Sequence, residues 1–391
     1  MEKKTGHIDW LIFLPIVSLM LFSIAFVYSA SATMAEHTFG SADKLFWSHS
    51  GRIFLGLIIL LVFARIDYHF WMRHSKKIMY LAVIFLIVVL FVGTSLKGAS
   101  RWINLGFVSF QPSELAKFAI LVHFAALLSA KQKVIKSFEN GFLPFLFWTG
   151  LICLLIALQP NFSTMIVIFL IAISMMFIGN TNLLYILYTF AFGITTGLIY
   201  AVSAEYRLNR IKSFLGLGEE HVGSEVSYQL NQALIALGNG GLFGVGAGQN
   251  RQSYLFLPES YGDFIFSIIG EEYGFIGLFA ILLAFAMVFW RGMLIAKKAP
   301  DNYGYFLAIG ILVTFAIYVF VNAGVNTGVL PTTGVPMPFI SYGGTAVFFY
   351  AAEIGILLNI SAQSGIYPKP PEVVINREEA NSDIDPEKSA D

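Results

Sequence analysis

Leu257-Pro258-Glu259-Ser260-Tyr261-Gly262-Asp263-Phe264-Ile265-Phe266, with the apolar run that continues from it to Trp290, decides the architecture. From Phe264 to Trp290 the charged residues are Glu271 and Glu272 alone, and the run is long enough to cross about 30 Å of hydrocarbon. A carboxylate at the mouth of such a span is costly to keep there and marks a functional position rather than packing. Glu271 and Glu272 lie deeper, and neighbours on a helix cannot point the same way. At least one must face protein or water. They read as a structural polar pair, or as a second acid site.

The rest of the chain repeats this pattern. Hydrophobic residues make up 57% of the sequence and charged residues 12%. A soluble domain carries about twice that charge, so most of the surface faces lipid. Zero formal net charge gives no basic footprint for nucleic acid. Cys153 is the single cysteine and lies in an apolar run, which excludes a disulfide framework and a thiolate metal site. His7, His37, His49, His69, His74 and His221 show no ligand spacing, and His123 is alone in an apolar segment.

The expected fold is an all-α integral membrane protein with ten spans, near 10–31, 46–64, 78–96, 113–130, 142–158, 162–179, 183–203, 263–290, 303–323 and 340–362. Gln159-Pro160-Asn161 alone separates the fifth from the sixth. Residues 1–365 form one polytopic membrane domain, with a large outer loop at 204–262 containing short amphipathic or re-entrant helices. Beyond it, 366–391 is a polar, acidic tail that cannot bury enough apolar surface to fold alone. Orientation follows from Lys and Arg. Lys3, Lys4, Arg65, Arg73, Lys76, Lys77, Lys131, Lys133, Lys136, Arg291, Lys297 and Lys298 fall on one side, which makes both termini cytoplasmic. Lys3, Lys4 and Ala30-Ser31-Ala32 imitate a cleavable signal, but the intervening apolar run is too long for a signal core.

Three further stretches could carry chemistry. Gly98-Ala99-Ser100-Arg101-Trp102-Ile103-Asn104 precedes Gln111-Pro112-Ser113-Glu114-Leu115-Ala116-Lys117, where Pro112 starts a helix and Glu114 and Lys117 share a face. Trp102 reads as an interfacial anchor. Arg101 and Lys117 read as ligands for a lipid-linked phosphate, or Glu114–Lys117 as a buried structural pair. The outer loop holds Arg207, Arg210, Lys212 and an amphipathic Tyr228–Leu237, then glycines at 238, 240, 241, 244, 246 and 248 before Arg251 and Glu259. It has no strict GxGxxG or GxxxxGK[ST] and no strand before a helix, so a nucleotide site is not supported. The glycines instead let backbone dip into the membrane and turn where protein or water covers it. Finally, Leu330-Pro331-Thr332-Thr333-Gly334-Val335-Pro336-Met337-Pro338-Phe339-Ile340-Ser341-Tyr342-Gly343-Gly344 cannot be a regular helix. It is either a rigid connector or a wall of the substrate site, with Ser341, Gly343 and Gly344 near the reacting lipid.

These blocks together resemble the SEDS family of membrane proteins (shape, elongation, division and sporulation). GASRWI, QPSELAK, LNQALIALGNGGLFGVGAGQNRQ, LPES with DFIF, EEYGFIG and LPTTGVPMPFISYGG carry the resemblance, which extends from about residue 10 to 362. The match is closer to the division and sporulation members than to the elongation member. The resemblance implies a peptidoglycan glycosyltransferase that polymerises lipid II at the outer face of the bacterial cytoplasmic membrane, in septal synthesis. The implied partners are a cognate class B penicillin-binding protein and other divisome or elongasome membrane proteins. It places the catalytic acid on Asp263 and substrate-binding cations on Arg101 and Lys117. Three departures concern acceptor positioning: Tyr261-Gly262 stand where His-Thr is usual, Asn161 replaces an Asp, and Leu215-Gly216-Leu217 replace Asn-Pro-Trp.

An α-linked donor giving a β-linked glycan requires inversion, so Asp263 would act as general base in one direct displacement. Arg101, Lys117, Arg207 and Arg210 could balance the leaving diphosphate, with Glu114, Arg251 and Glu259 completing the candidate substrate set. A divalent cation, Mg²⁺ or Mn²⁺, could assist, although no dedicated cage is visible; no organic cofactor is expected. The competing expectations are an elongation-type polymerase, a lipid II flippase, and a non-catalytic scaffold.

Overall fold

The computed structural model describes residues 6–96, 99–104, 109–203, 208, 212, 225–254 and 256–366. Among them, nine helices of 18 residues or more are apolar enough to cross a membrane, and Phe162–Ile178 is a shorter apolar tenth. In chain order they are α1 (Trp10–Phe39), α2 (Lys44–Arg65), α3 (His69–Val92), α4 (Pro112–Lys131), α5 (Leu143–Ala157, entered through a π-turn at Phe138–Phe142), α6 (Phe162–Ile178) and α7 (Leu183–Val202). The loop helix α8 (Glu225–Gly240) precedes α9 (Ile265–Lys297), α10 (Asn302–Asn326) and α11 (Ala346–Gln363). All ten expected spans are present, including the separate fifth and sixth.

Local chemistry sets several ends. Asp9 accepts from the Leu11 N–H and caps α1, and Gly40 closes it in the left-handed conformation. Pro112 takes the first turn of α4, where its missing N–H is harmless. Asp301 caps α10 by accepting from the Gly304 N–H at 2.8 Å. Four boundaries differ most from expectation, beginning with α1, which ends at Phe39 rather than 31. α3 starts at His69 and α9 runs on to Lys297, because amphipathic ends carry cations past the apolar core. α11 starts at Ala346 rather than 340, because Pro336, Pro338 and a positive φ of 63° at Phe339 keep the preceding segment irregular.

The interior is built by α4, α10 and α11, whose residues are largely buried, while α7 lies at the periphery. α11 packs along α2, and α3 along α4. One element was not expected. A three-stranded antiparallel sheet joins α3 to α4: β1 (Thr94–Leu96), β2 (Ala99–Asn104) and β3 (Ser109–Phe110), with Thr94 opposite Trp102 and Ile103 opposite Phe110. These strands are too short to leave an alternating pattern, so only pairing reveals them. The loop helix around Tyr228–Leu237 is present within α8.

The face opposite the candidate site is stapled by polar contacts. Arg291 Nε reaches Asp9 Oδ2 at 2.6 Å, and the Asp9 N–H donates to Ser361 Oγ. The Tyr68 hydroxyl donates to Asp301 at 2.5 Å, and His69 bridges Asp67 and Asp301 at 2.8 Å each.

Candidate functional site

Asp263 closes the loop before α9, and its backbone is held from α10. Its carbonyl accepts from Asn322 Nδ2 and Asn326 Nδ2, both at 2.9 Å. Phe264, at the cap position of α9, makes no side-chain cap bond, and Asn326 Oδ1 accepts from the Ser267 N–H instead, at 3.1 Å. The carboxylate stays half-buried and turns toward Gly334, where an added Cβ would stand 3.2 Å from Oδ2. Gly334 has φ +72°, so the Pro-rich segment comes close to Asp263 at a residue suited to both the space and the turn. That segment is therefore a wall of the site and not merely a connector.

Tyr261 and Tyr342 form the neighbouring rim. Tyr342 donates its N–H to the Tyr261 carbonyl at 2.8 Å, and the rings meet edge to face with centroids 5.5 Å apart. Burial, then the Glu259 carboxylate, Tyr342 and Asp263, push the Tyr261 phenol up to about 12, so it stays protonated near neutral pH. Glu259 is half-buried, with φ +58°, and its carbonyl accepts from the Gly262 N–H.

Arg52 of α2 stacks over the Tyr342 ring at 4.6 Å and donates to the Gly343 carbonyl at 3.1 Å. The sequence reading passed over Arg52, though a charge inside an apolar span was the available signal. It also missed Asn322 and Asn326, four residues apart on one face of an apolar helix.

Arg101 extends from β2 across to the α5–α6 corner, donating to the Gln159 carbonyl at 3.3 Å and to that of Pro160. Trp102 beside it packs on Gly344, where an added Cβ would stand 2.7 Å from the ring. The Gln111 N–H donates to Thr345 Oγ1, and Ser163 Oγ donates to the Thr333 carbonyl. The hairpin, the α6 start, the Pro-rich segment and Asp263 thus meet at one end of the bundle. Ser341 is buried within this wall and accepts from the Met337 N–H at 2.8 Å, which makes it a brace of the turn.

Lys117 is not at that surface. It is 1% exposed, 2.8 Å from Glu114 and 3.9 Å from Glu353, with its ammonium over Tyr350 and Tyr318 at 4.0 and 4.7 Å. Glu114 is likewise buried. The structure encloses the pair inside the bundle, so of the two cations singled out together only Arg101 lies with Asp263. Arg207 and Arg210 lie outside the described residues. Arg251 is exposed, and its N–H donates to Glu271.

Glu271 and Glu272 do point apart, and both are structural anchors. Glu271 accepts from the Arg251 and Gln252 N–H groups at 3.2 Å and from Asn239; Glu272 accepts from Ser29 and Asn250. Gly274 breaks α9 at φ 65°, ψ −165°, and the glycine-rich loop docks into the break. The Val245 and Gly246 N–H groups donate to the Glu271 and Glu272 carbonyls, and Phe275 and Ile276 donate back to Gly241 and Leu242. Gly240 and Gly244 serve close backbone approach to α9, and Gly241, Gly244, Gly246 and Gly248 take positive φ in the turns expected of the run. Among the described residues no group of three or more His, Cys, Asp or Glu side chains is placed to hold a metal ion.

A ten-span membrane bundle with a braced carboxylate and an arginine hairpin at one end defines the class: a polytopic membrane protein with polar chemistry at one membrane face. The sequence profile of the FtsW/RodA/SpoVE family, described as "Cell cycle protein", matches residues 9–365, and this chain belongs to that family. It is 40% identical over 366 residues to stage V sporulation protein E of Bacillus subtilis (strain 168), covering 93% of this chain and 99% of that protein. It is 38% identical to a probable peptidoglycan glycosyltransferase FtsW of Trichlorobacter lovleyi, covering 93% and 96%. Among solved structures, a chain described under "Structural coordination of polymerization and crosslinking by a peptidoglycan synthase complex" has a TM-score of 0.73 at 22% identity, covering 91% of this chain and 98% of that one. The Thermus thermophilus rod shape determining protein RodA has a TM-score of 0.67 at 21% identity, covering 90% and 96%. At these identities the likeness to the solved structures is one of fold.

Proposed function

We propose that this chain is an inverting peptidoglycan glycosyltransferase that polymerises lipid II in septal synthesis. The observation that carries the reading is the meeting, in a chain of this family, of Asp263, the Arg101 hairpin and the Pro-rich wall at one end of the bundle. That end faces outward when the Lys- and Arg-rich loops face the cytoplasm, which also leaves both termini inside. Asp263 takes the proton from the acceptor GlcNAc 4-hydroxyl as its oxygen attacks the anomeric carbon of the donor disaccharide. The bond to the undecaprenyl diphosphate breaks in the same displacement, and the diphosphate leaves with its negative charge. Arg101 and Arg52 supply positive charge beside the reacting centre, and Arg207 and Arg210, which lie outside the described residues, are further candidates by sequence for balancing the leaving diphosphate. A divalent cation would take Asp263 or Glu259 together with diphosphate oxygens and water, the shell Mg²⁺ usually keeps. Glycan made this way needs cross-linking, which fits partnership with a cognate class B penicillin-binding protein.

A flippase would need charged groups open to a path through the membrane. Glu114, Lys117 and Glu353 lie within the spans but are sealed, and this favours surface chemistry. The test is glycan synthesis from purified lipid II by the full chain with its penicillin-binding protein partner, with and without Mg²⁺ or Mn²⁺. Wild type should give long glycan, and Asp263→Asn should fold, reach the membrane and give none. Full polymerisation by that variant would remove Asp263 as the base.

A further inference from the structure

We infer that Asn322 and Asn326 are positioning residues for the reaction, acting through the backbone of Asp263. The inference rests on Asp263 being the base. In a regular helix the Ser267 N–H would bond the carbonyl four residues earlier, that of Asp263. Here the Asn326 side chain stands between them. Its Oδ1 accepts from the Ser267 N–H at 3.1 Å and from Ser267 Oγ at 2.7 Å, while its Nδ2 donates to the Asp263 carbonyl at 2.9 Å. The Ser267 N–H is shared between Asn326 Oδ1 and the Phe264 carbonyl three residues earlier, at 3.0 Å, so its bond to the Asp263 carbonyl is not made and Asp263 is kept out of the helix.

Asn322, one turn earlier on α10, completes the clamp. Its Nδ2 donates to the Asp263 carbonyl at 2.9 Å and to the Val335 carbonyl at 2.8 Å. One side-chain amide therefore fixes both the base and the wall its carboxylate faces, since Val335 follows Gly334. The remaining Asn326 N–H donates to the Asn322 carbonyl at 2.9 Å, so all four amide N–H bonds of the pair are used. Neither amide can be reversed: each would then set its oxygen against the Asp263 carbonyl. Asn322 is 1% exposed and Asn326 fully buried, so neither touches substrate. Both give up hydration for these bonds, a commitment that packing alone would not require. Orientation of a reacting group matters steeply, and a shift of about 1 Å can lower a rate about 100-fold.

Asn326→Asp separates positioning from helix capping. A carboxylate still accepts from Ser267 and favours a helix N-terminus, but it cannot donate to the Asp263 carbonyl. The full chain, with its penicillin-binding protein partner, is assayed for polymerisation across pH and lipid II concentration, so that a displaced acid limb is separated from a lowered plateau. Thermal unfolding is followed in parallel. Asn326→Asp sets a buried carboxylate oxygen against the Asp263 and Asn322 carbonyls, so it should still fold but with a lowered unfolding midpoint, keep KM within about threefold, and lose about 100-fold in plateau kcat. Asn322→Ala should show the same split. A wild-type plateau in Asn326→Asp overturns the inference and leaves a capping role only. Loss of the folded protein in both variants also overturns it, because the pair would then be an element of the fold. Asp263→Asn in the same assay separates the two readings: polymerisation by it defeats the choice of base, whereas an inactive Asp263→Asn beside fully active asparagine variants defeats the clamp alone.

Discussion

Replacing Lys117 by methionine keeps much of the side chain's volume and removes the cation that lies between Glu114 and Glu353. At an effective dielectric of about 20, separations of 2.8 and 3.9 Å correspond to about 6 and about 4 kcal/mol of attraction. The cost of stripping water from three charged groups offsets much of this, so the net worth of the cluster is small. Removing one partner is a different matter, because the carboxylates stay buried without their cation, and such losses run at about 3–5 kcal/mol. The ammonium also leaves the faces of Tyr350 and Tyr318, at 4.0 and 4.7 Å. Unfolding of the purified full chain in detergent, titrated with a denaturing surfactant, should place Lys117→Met about 3–5 kcal/mol below wild type. Lys117→Met combined with Glu114→Gln and Glu353→Gln should recover to within about 1–2 kcal/mol, since a neutral core often replaces a buried ion cluster without loss. A wild-type stability for Lys117→Met would refute the reasoning. A stable triple variant unable to bind lipid II would refute its other half and return Lys117 to the substrate.

Other outcomes follow from the same contacts. Gly240→Ala would set a Cβ 1.9 Å from the Gly270 carbonyl oxygen, so α8 and the glycine loop should lift from α9; overpacking of this kind costs about 1–3 kcal/mol, read as a lower unfolding midpoint with reduced polymerisation. Gly344→Ala should push Trp102 and the Arg101 hairpin outward, lowering kcat/KM by about tenfold or more while leaving the membrane level of the protein unchanged. Burial alone would raise the Asp301 carboxyl, but hydrogen bonds from Tyr68, the Gly304 N–H and His69 outweigh it and hold it below the ordinary value. A depressed folded-state pKa stabilises fully above the unfolded value near 3.9 and loses that contribution as pH falls through the folded one. Unfolding midpoints measured from about pH 6 down to pH 3 should therefore fall more steeply for wild type than for Asp301→Asn; parallel curves would remove this role.

The sequence by itself determined the ten spans, because apolar runs of membrane length are a local property of the chain. It also singled out Asp263 as a candidate, because an acid at the mouth of such a run conflicts with its surroundings. The glycines before Arg251 and the prolines from 331 to 338 were legible for the same reason, since each limits the backbone wherever it lies. Only the tertiary structure decided which polar groups share a site. Glu114 and Lys117 are three residues apart in any helix, but Glu353 encloses them from a span that begins more than two hundred residues later. Arg52 gains its place from Tyr342 and Gly343, and Asn322 and Asn326 from the Asp263 carbonyl in the loop before α9. Hydrogen bonds between distant segments leave no period in a sequence, so the clamp that aims Asp263 could be read only once α9, α10 and the Pro-rich wall had come together.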